Sequence, residues 1–448
     1  MRLRFGSLVV AGSCLVFAQA SACGSNGDGS DAGLADAAAD VRPPKPTVKD
    51  ASKPPPPDSP YVPQTAKCVR DGGVPEAFTA PDASFDAAHP PSPQVLTAGG
   101  PVLALPVFVP VTFDGDEHRG EEEDFLGSVG CTDYWHQVTR DYGIGDGVVG
   151  PAVHLSEAAP SDISDDQIQA WLTAKILKDP SFPKPDDNTL YVLFYPSSTS
   201  ISLQGELSCA SFGGYHNSID VQDRGVAYAV IPDCGSFGAL AGIDAITSTT
   251  SHELVEAVTD PLPYPQPAYN LPEPDGLGFA LAAGGELGDM CEFKSDAFFQ
   301  PAGYPFFVQR SWSNSRAFAL EDPCVPSLPG PFFGVAPRPT DMLRFDIGLG
   351  PQSARGVIVK VGQQVTIELP AFANGPVAPW GLTAFDAAKF RGGKPDLSLQ
   401  LSQSTVKNGD VAKLTILRKA DSPYGVSAFG LVSTGAGRQT YWWGLVGQ

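Results

Sequence analysis

The chain has 448 residues and a formal net charge of −21 at pH 7, with 50 acidic side chains against 29 Lys and Arg. A polyanion of this size repels phosphate backbones and anionic lipid, so nucleic-acid binding and membrane docking through a basic patch are disfavoured. The 44 prolines are about twice the ordinary share, so part of the chain is expected to lie outside any globular core.

Arg2 and Arg4 precede an apolar run from Leu8 to Ala18, and Ala20-Ser21-Ala22 leads into Cys23. The pattern reads as an export signal over 1–22, too short to span a bilayer. Cys23, following small residues, reads as a lipid-attachment site of the bacterial lipoprotein type, with Ala20 where such sites usually carry Leu. Plain cleavage would give a secreted protein instead. Either way the chain is exported, as a cell-envelope lipoprotein or a secreted protein, and membrane contact is expected only through the lipid anchor. Residues 23–97 are expected to form a disordered tether, because nine of the residues 43–63 are Pro and little apolar area is available to offset ordering.

Regular structure is expected from about 98. Val102–Phe113 reads as a strand that Pro106 and Pro110 push towards a sheet edge. Apolar residues at near-helical spacing from Glu121 to Tyr142 predict helix, broken by Gly127 and Gly130. Ser164 to Gln167 forms a capping box, and Ile168, Trp171, Leu172 and Ile176 trace the face of the helix that follows. Leu190–Tyr195 and Gly225–Pro232 read as buried strands, and Asp244–Asp260 as a helix. The order predicts an α+β domain over 98–327, a mixed sheet backed by helices. Residues 328–341 read as a Pro/Gly-rich linker. From 342 to 448 the pattern turns to short strands with Asn408-Gly409 and Arg391-Gly392-Gly393 turns, which predicts an all-β, immunoglobulin-like sandwich.

Six cysteines remain once Cys14 leaves with the signal and Cys23 is set aside. In an exported chain they read as three disulfides. Cys209–Cys234 and Cys291–Cys324 each bracket one compact segment, and Cys68–Cys131 follows by elimination. No CxxC occurs to suggest a thiolate zinc site.

The main chemical signal is Thr250-Ser-His-Glu-Leu-Val-Glu-Ala-Val-Thr-Asp-Pro261. On a helix His252 and Glu256 stand one turn apart on one face, a chelating geometry for a divalent ion. Glu253 is then placed to act as general base on water polarised by that ion, the arrangement of the zinc-protease HExxH helix with Glu256 in place of the second His. A ligand from outside the helix is needed. Gly284-Gly-Glu-Leu-Gly-Asp-Met-Cys-Glu292 offers Asp289 first and Glu286 second. His216 reads as a satisfied loop residue, with a ligand or transition-state role as the alternative. Asp260, eight residues beyond His252, falls off the face and is given no role. One neutral His and two carboxylates cancel a divalent charge, so the ion should be a weaker Lewis acid than in a two-His, one-Glu set, and a structural metal competes with a hydrolytic one; zinc is expected first, with Mn²⁺ or Ca²⁺ admitted by the oxygen-rich set.

These segments, together with Val308-Gln-Arg-Ser-Trp-Ser-Asn314 and the later Cys324, resemble the phosphate-induced (Exordium-like) extracellular proteins and their bacterial relatives over about 98–324. Cys209, the Gly-Gly-Tyr-His segment and Tyr228-Ala-Val-Ile-Pro232 fit the bacterial version. The plant members carry Asn at the position of Asp260. The resemblance implies a zincin-like domain in which His252, Glu256, Glu286 and Asp289 are metal-site residues and Glu253 is the base. It delivers no reaction. Two functions are therefore carried forward. One is a metal-dependent, peptidase-like hydrolase acting on peptide or cell-wall glycan material. The other is a non-catalytic surface binding or adhesion protein on the same scaffold, with Trp442 and Trp443 as candidate glycan-docking aromatics.

Overall fold

The computed structural model describes residues 87–448 apart from 348, 349, 392 and 423. The export signal, Cys23, most of the tether and Cys68 lie outside the described residues, and with them the Cys68–Cys131 pairing. Among the described residues, no helix is long and apolar enough to cross a membrane.

The fold is α+β, with strands predominating and several separate sheets. The sheet that positions the site is built from β1 (Val107–Asp114), β2 (Val148–Val149), β3 (Val153–Ala158), β4 (Thr189–Tyr195), β5 (Tyr215–Val221) and β6 (Arg224–Pro232). Its order is β2–β1–β4–β6–β5, and β3 also pairs with β1. All pairs are parallel except β6 with β5. Every residue of β4 is buried, as expected of a parallel strand covered on both faces. β1 does not lie at the edge that its prolines predict. Its outer neighbours are two short strands instead of one: β2 pairs with Val107 and Phe108, and β3 takes over from Val111. The interruption falls at Val109–Pro110, where Pro110 has no N–H to offer.

One face of the sheet carries α1 (Arg119–Val129), α2 (Asp133–Thr139) and α4 (Ile243–Thr259); the other carries α3 (Asp165–Lys178). Of the two glycines expected to break the first helix, only Gly130 does so. A Cβ there would lie 2.4 Å from the Gly147 carbonyl oxygen, whereas Gly127 sits inside α1. The capping box of α3 is present: Gln167 N–H donates to Ser164 Oγ (3.4 Å), and Ser164 N–H donates to Gln167 Oε1 (2.9 Å). Two short helices, α5 (Leu277–Ala282) and α6 (Asp289–Glu292), follow.

The C-terminal half holds two facing sheets. One is β7 (Phe333–Val335), β10 (Gln364–Ala373), β14 (Val411–Arg418) and β12 (Leu397–Leu401). The other is β8 (Asp341–Asp346), β9 (Pro351–Ile358), β16 (Arg438–Gly447), β15 (Ser427–Gly435), β11 (Trp380–Asp386) and β13 (Thr405–Val406). Phe333, Leu369, Leu382, Leu414, Ile416 and Leu431 fill the space between them. β7 lies inside the stretch read as a linker; Phe333 and Val335 are buried there, and the strand pairs with β10. The end of the stretch read as a tether is packed as well. Val95 is fully buried, Trp312 Nε1–H donates to the Pro93 carbonyl (3.0 Å), and His89 stacks on Phe372 at 3.7 Å.

The two halves share one apolar cluster. Phe279 of α5 packs against Trp312 (5.4 Å) and against Trp443 of β16 (6.4 Å). Trp443 is therefore part of this shared core, and Trp442 is half-buried against Phe372. Neither is the free surface aromatic that glycan docking would need. A buried ion network lies alongside. Arg310 reaches Asp296 (2.8 Å) and Asp322 (2.9 Å), Lys294 reaches Asp322, and Arg438 of β16 joins at 3.5 Å from Asp322. Burial opposes ionisation of Asp322, but Lys294 and Arg310 hold its carboxyl below the usual carboxylate range. Asp322→Ala should leave three buried cations short of a partner. A loss of about 3–5 kcal/mol is expected in urea unfolding of the full chain; an unchanged midpoint would show that the network contributes nothing.

Candidate metal centre

Helix α4 is buried from Ala245 to Thr259 on all sides, although its first half is rich in hydroxyls. Three of those hydroxyls bond back to the helix itself, whereas Thr247 Oγ1 is buried without a partner. Ser248 Oγ donates to Ala245 O (3.0 Å), Thr250 Oγ1 to Ile246 O (2.7 Å) and Ser251 Oγ to Ser248 O (2.7 Å). Leu254, Val255, Ala257 and Val258 enter the main apolar core. The remaining face presents His252, Glu253 and Glu256, all with no exposed surface.

The expected cluster is assembled. His252 Nε2 stands 3.1 Å from Glu256 Oε2 and 3.8 Å from Asp289 Oδ1. Asp289, the first-choice external ligand, opens α6, which Cys291 ties to Cys324 by a disulfide. Its other oxygen accepts from the Gly285 and Glu286 N–H groups (3.1 and 3.4 Å). Glu286, the second choice, faces a different imidazole: its Oε1 lies 3.5 Å from His216 Nε2. His216 is not a loop residue. It belongs to β5, opposite Ala229 of β6, and its side chain is fully buried. Its Nδ1 lies 3.5 Å from Glu253 Oε2 and 3.8 Å from Glu256 Oε2. The Cys209–Cys234 disulfide, also as expected, links the chain just before β5 to the chain just after β6.

Two close approaches make the assembly feasible. A Cβ on Gly214 would lie 2.7 Å from Thr249 Cγ2 and 3.1 Å from Glu253 Oε1, so only glycine lets the start of β5 rest on α4. A Cβ on Gly288 would lie 2.7 Å from His252 Nδ1 and 2.9 Å from Glu256 Oε1. At that point Gly288 and Asp289 donate their backbone N–H groups to Glu256 Oε1, both at 3.1 Å.

Asp260 was set aside on helical arithmetic, but α4 ends at Thr259 and Asp260 leaves the helical path at φ −140°. It is fully buried beside Glu286, and its Oδ1 accepts from Ala268 N–H (2.6 Å). Gln309 and Glu292 were not singled out in the sequence at all. Gln309 Nε2 donates to the Gly288 carbonyl (2.8 Å), so its Oε1 is the atom that faces His252 Nδ1 at 3.0 Å. An acceptor there requires Nδ1 to carry the proton, and Nε2 is left as the lone-pair nitrogen facing the carboxylates. The available signal was the position of Gln309 in the Gln-Arg-Ser-Trp-Ser segment.

Burial lowers the pKa of His216, to about 3, with the neighbouring His252 adding to the effect. Burial also lowers His252. Burial raises Glu253 and Glu256 well above the carboxylate range, and the surrounding carboxylates reinforce this: Glu256, Asp289, Glu286 and Glu292 act on Glu253, and Asp289 acts on Glu256.

These side chains fit a divalent cation. Both nitrogens of His216, Nε2 of His252, both oxygens of Glu253 and Oε2 of Glu256 are buried without a hydrogen-bond partner. Unpaired buried polar atoms of this kind are costly. The N···O separations of 3.1–3.8 Å bracket the roughly 3.4 Å expected between two donors bound tetrahedrally to one ion. His252, Glu253 and Glu256 form one triad of donor atoms within 4.8 Å of one another, and His216, Glu256 and Glu286 form another.

No protein-family model matches the chain, and no curated protein matches it. Among solved structures, a titin M3 domain is 14% identical over 20% of this chain and 85% of its own, with a TM-score of 0.15. A chimeric titin Z1Z2 functionalised with a KLER exogenous peptide from decorin is 18% identical over 20% of this chain and 81% of its own, with a TM-score of 0.14. Likenesses this low carry no argument about this chain.

Gln309→Leu preserves volume but removes the acceptor that fixes the His252 tautomer. Zinc affinity, read by competition with a chromophoric chelator, should fall about 10–100-fold. Unchanged affinity would show that the Gln309 contact does not orient the imidazole.

Proposed function

We propose that the protein is an exported, metal-dependent hydrolase of peptidase type. Its metal centre belongs to a zincin-like domain, and an immunoglobulin-like sandwich follows. The observation that carries this reading is the set of buried, partnerless donor atoms on His252, Glu253 and Glu256, with Asp289 brought alongside. A divalent ion held by His252, Glu256 and Asp289, zinc first and manganese or calcium as oxygen-tolerant alternatives, would supply Lewis acidity towards water and a scissile carbonyl. Glu253 would serve as the general base towards that water.

Kinship with the phosphate-induced (Exordium-like) proteins is part of the same proposal and rests on the same residues. So is the cell-envelope location, with lipid attachment at Cys23. The two disulfides suit an oxidising compartment.

One observation favours a second reading. His252, Glu253 and Glu256 have no exposed surface. An ion there would then be a structural clip in a non-catalytic surface binding protein. The purified chain should contain metal that His252→Ala loses. Glu253→Gln should retain metal while hydrolysis of a peptide library drops about 10²–10⁴-fold. Metal without hydrolysis in the unmodified protein establishes the second reading, and failure to take up any divalent ion removes both.

A further inference from the structure

The ion assigned to His252, Glu256 and Asp289 leaves half of the centre unexplained. His216 is a fully buried imidazole with no hydrogen-bond partner on either nitrogen. Glu286 faces it at 3.5 Å. His216, Glu256 and Glu286 form a second triad that shares only Glu256 with that of His252, Glu253 and Glu256, and neither imidazole belongs to the other's triad.

Glu256 is common to both triads, and its two oxygens do different things. Oε1 accepts from the Gly288 and Asp289 N–H groups. Oε2 makes no hydrogen bond and stands 3.1 Å from His252 Nε2, while Glu256 also offers an oxygen that lies within 4.8 Å of one donor atom each on His216 and Glu286. A carboxylate so placed is suited to join two cations.

Charge points the same way. Glu253, Glu256, Asp260, Glu286, Asp289 and Glu292 are each at most 5% exposed and lie against one another. One divalent ion would leave much of their formal charge uncompensated in a buried place, and a second would halve what remains.

We propose that the centre holds two divalent cations joined through the Glu256 carboxylate, the second bound by His216 and Glu286. This deepens the hydrolase reading and rests on it for the first ion. The second position suits a borderline ion of the zinc or manganese type, because it combines one imidazole with carboxylates.

The test is elemental analysis of the full chain saturated with zinc, together with anomalous scattering from its crystals. Two zinc ions per chain are expected, as two peaks about 3.5–4 Å apart. His216→Ala should fall to one ion and keep the peak beside His252. Glu286→Gln, nearly isosteric, should weaken the second ion at least tenfold and guards against misfolding of the His216 variant. A single peak against His252 and Glu256, unchanged in both variants, overturns the second site and spares the hydrolase. A single peak shared by both imidazoles also overturns it. No bound zinc removes the second site and the hydrolase together.

Discussion

Removing a group of carboxylates from water is the constraint on which the rest of this structure depends. Taking a carboxylate out of water costs several kcal/mol even after the protein relaxes around it. Six of them gather between α4, β5 and the segment from Glu286 to Glu292, accompanied by imidazoles that burial holds neutral. Burial and the neighbouring carboxylates raise Glu253 and Glu256 well above the carboxylate range. A bound cation would oppose that shift, which would link folding, metal and proton at a single place.

The surroundings act as a mould for that place. Ser248, Thr250 and Ser251 satisfy their hydroxyls on their own helix, which helps a hydroxyl-rich helix to pass through an apolar core. Gln309 sets the His252 tautomer, two backbone N–H groups hold one oxygen of Glu256, and a disulfide anchors α6 behind Asp289. Each contact leaves one donor atom aimed inward. The closeness of Gly214 to Glu253 and of Gly288 to His252 and Glu256 shows how little slack the mould has.

Much of this was legible in the sequence where the signal was local. The spacing of His252 and Glu256, the capping box at Ser164, the buried strands and the two described disulfides follow from short-range rules and appear as expected. What was not legible depends on distant parts of the chain. His216 looks like a loop residue until the antiparallel pairing of β5 with β6 sets it against α4. Asp260 was misplaced because helical arithmetic was carried past the end of the helix. Alternation along the last strand turns one of Trp442 and Trp443 inward, but nothing nearby in sequence announces that α5 will cover Trp443. Residues 328–341 look like a spacer because proline and glycine mask a three-residue strand whose partner lies almost forty positions later.

The contact of Phe279 with Trp443 has a wider consequence. Modules joined by a bare spacer can be recombined freely during evolution, each keeping its own stability. Here the seam is greasy and threaded with charge, so a gene fragment ending after Cys324 would encode a product with a sticky, half-built flank. The two halves are bound to be inherited, expressed and engineered as one unit.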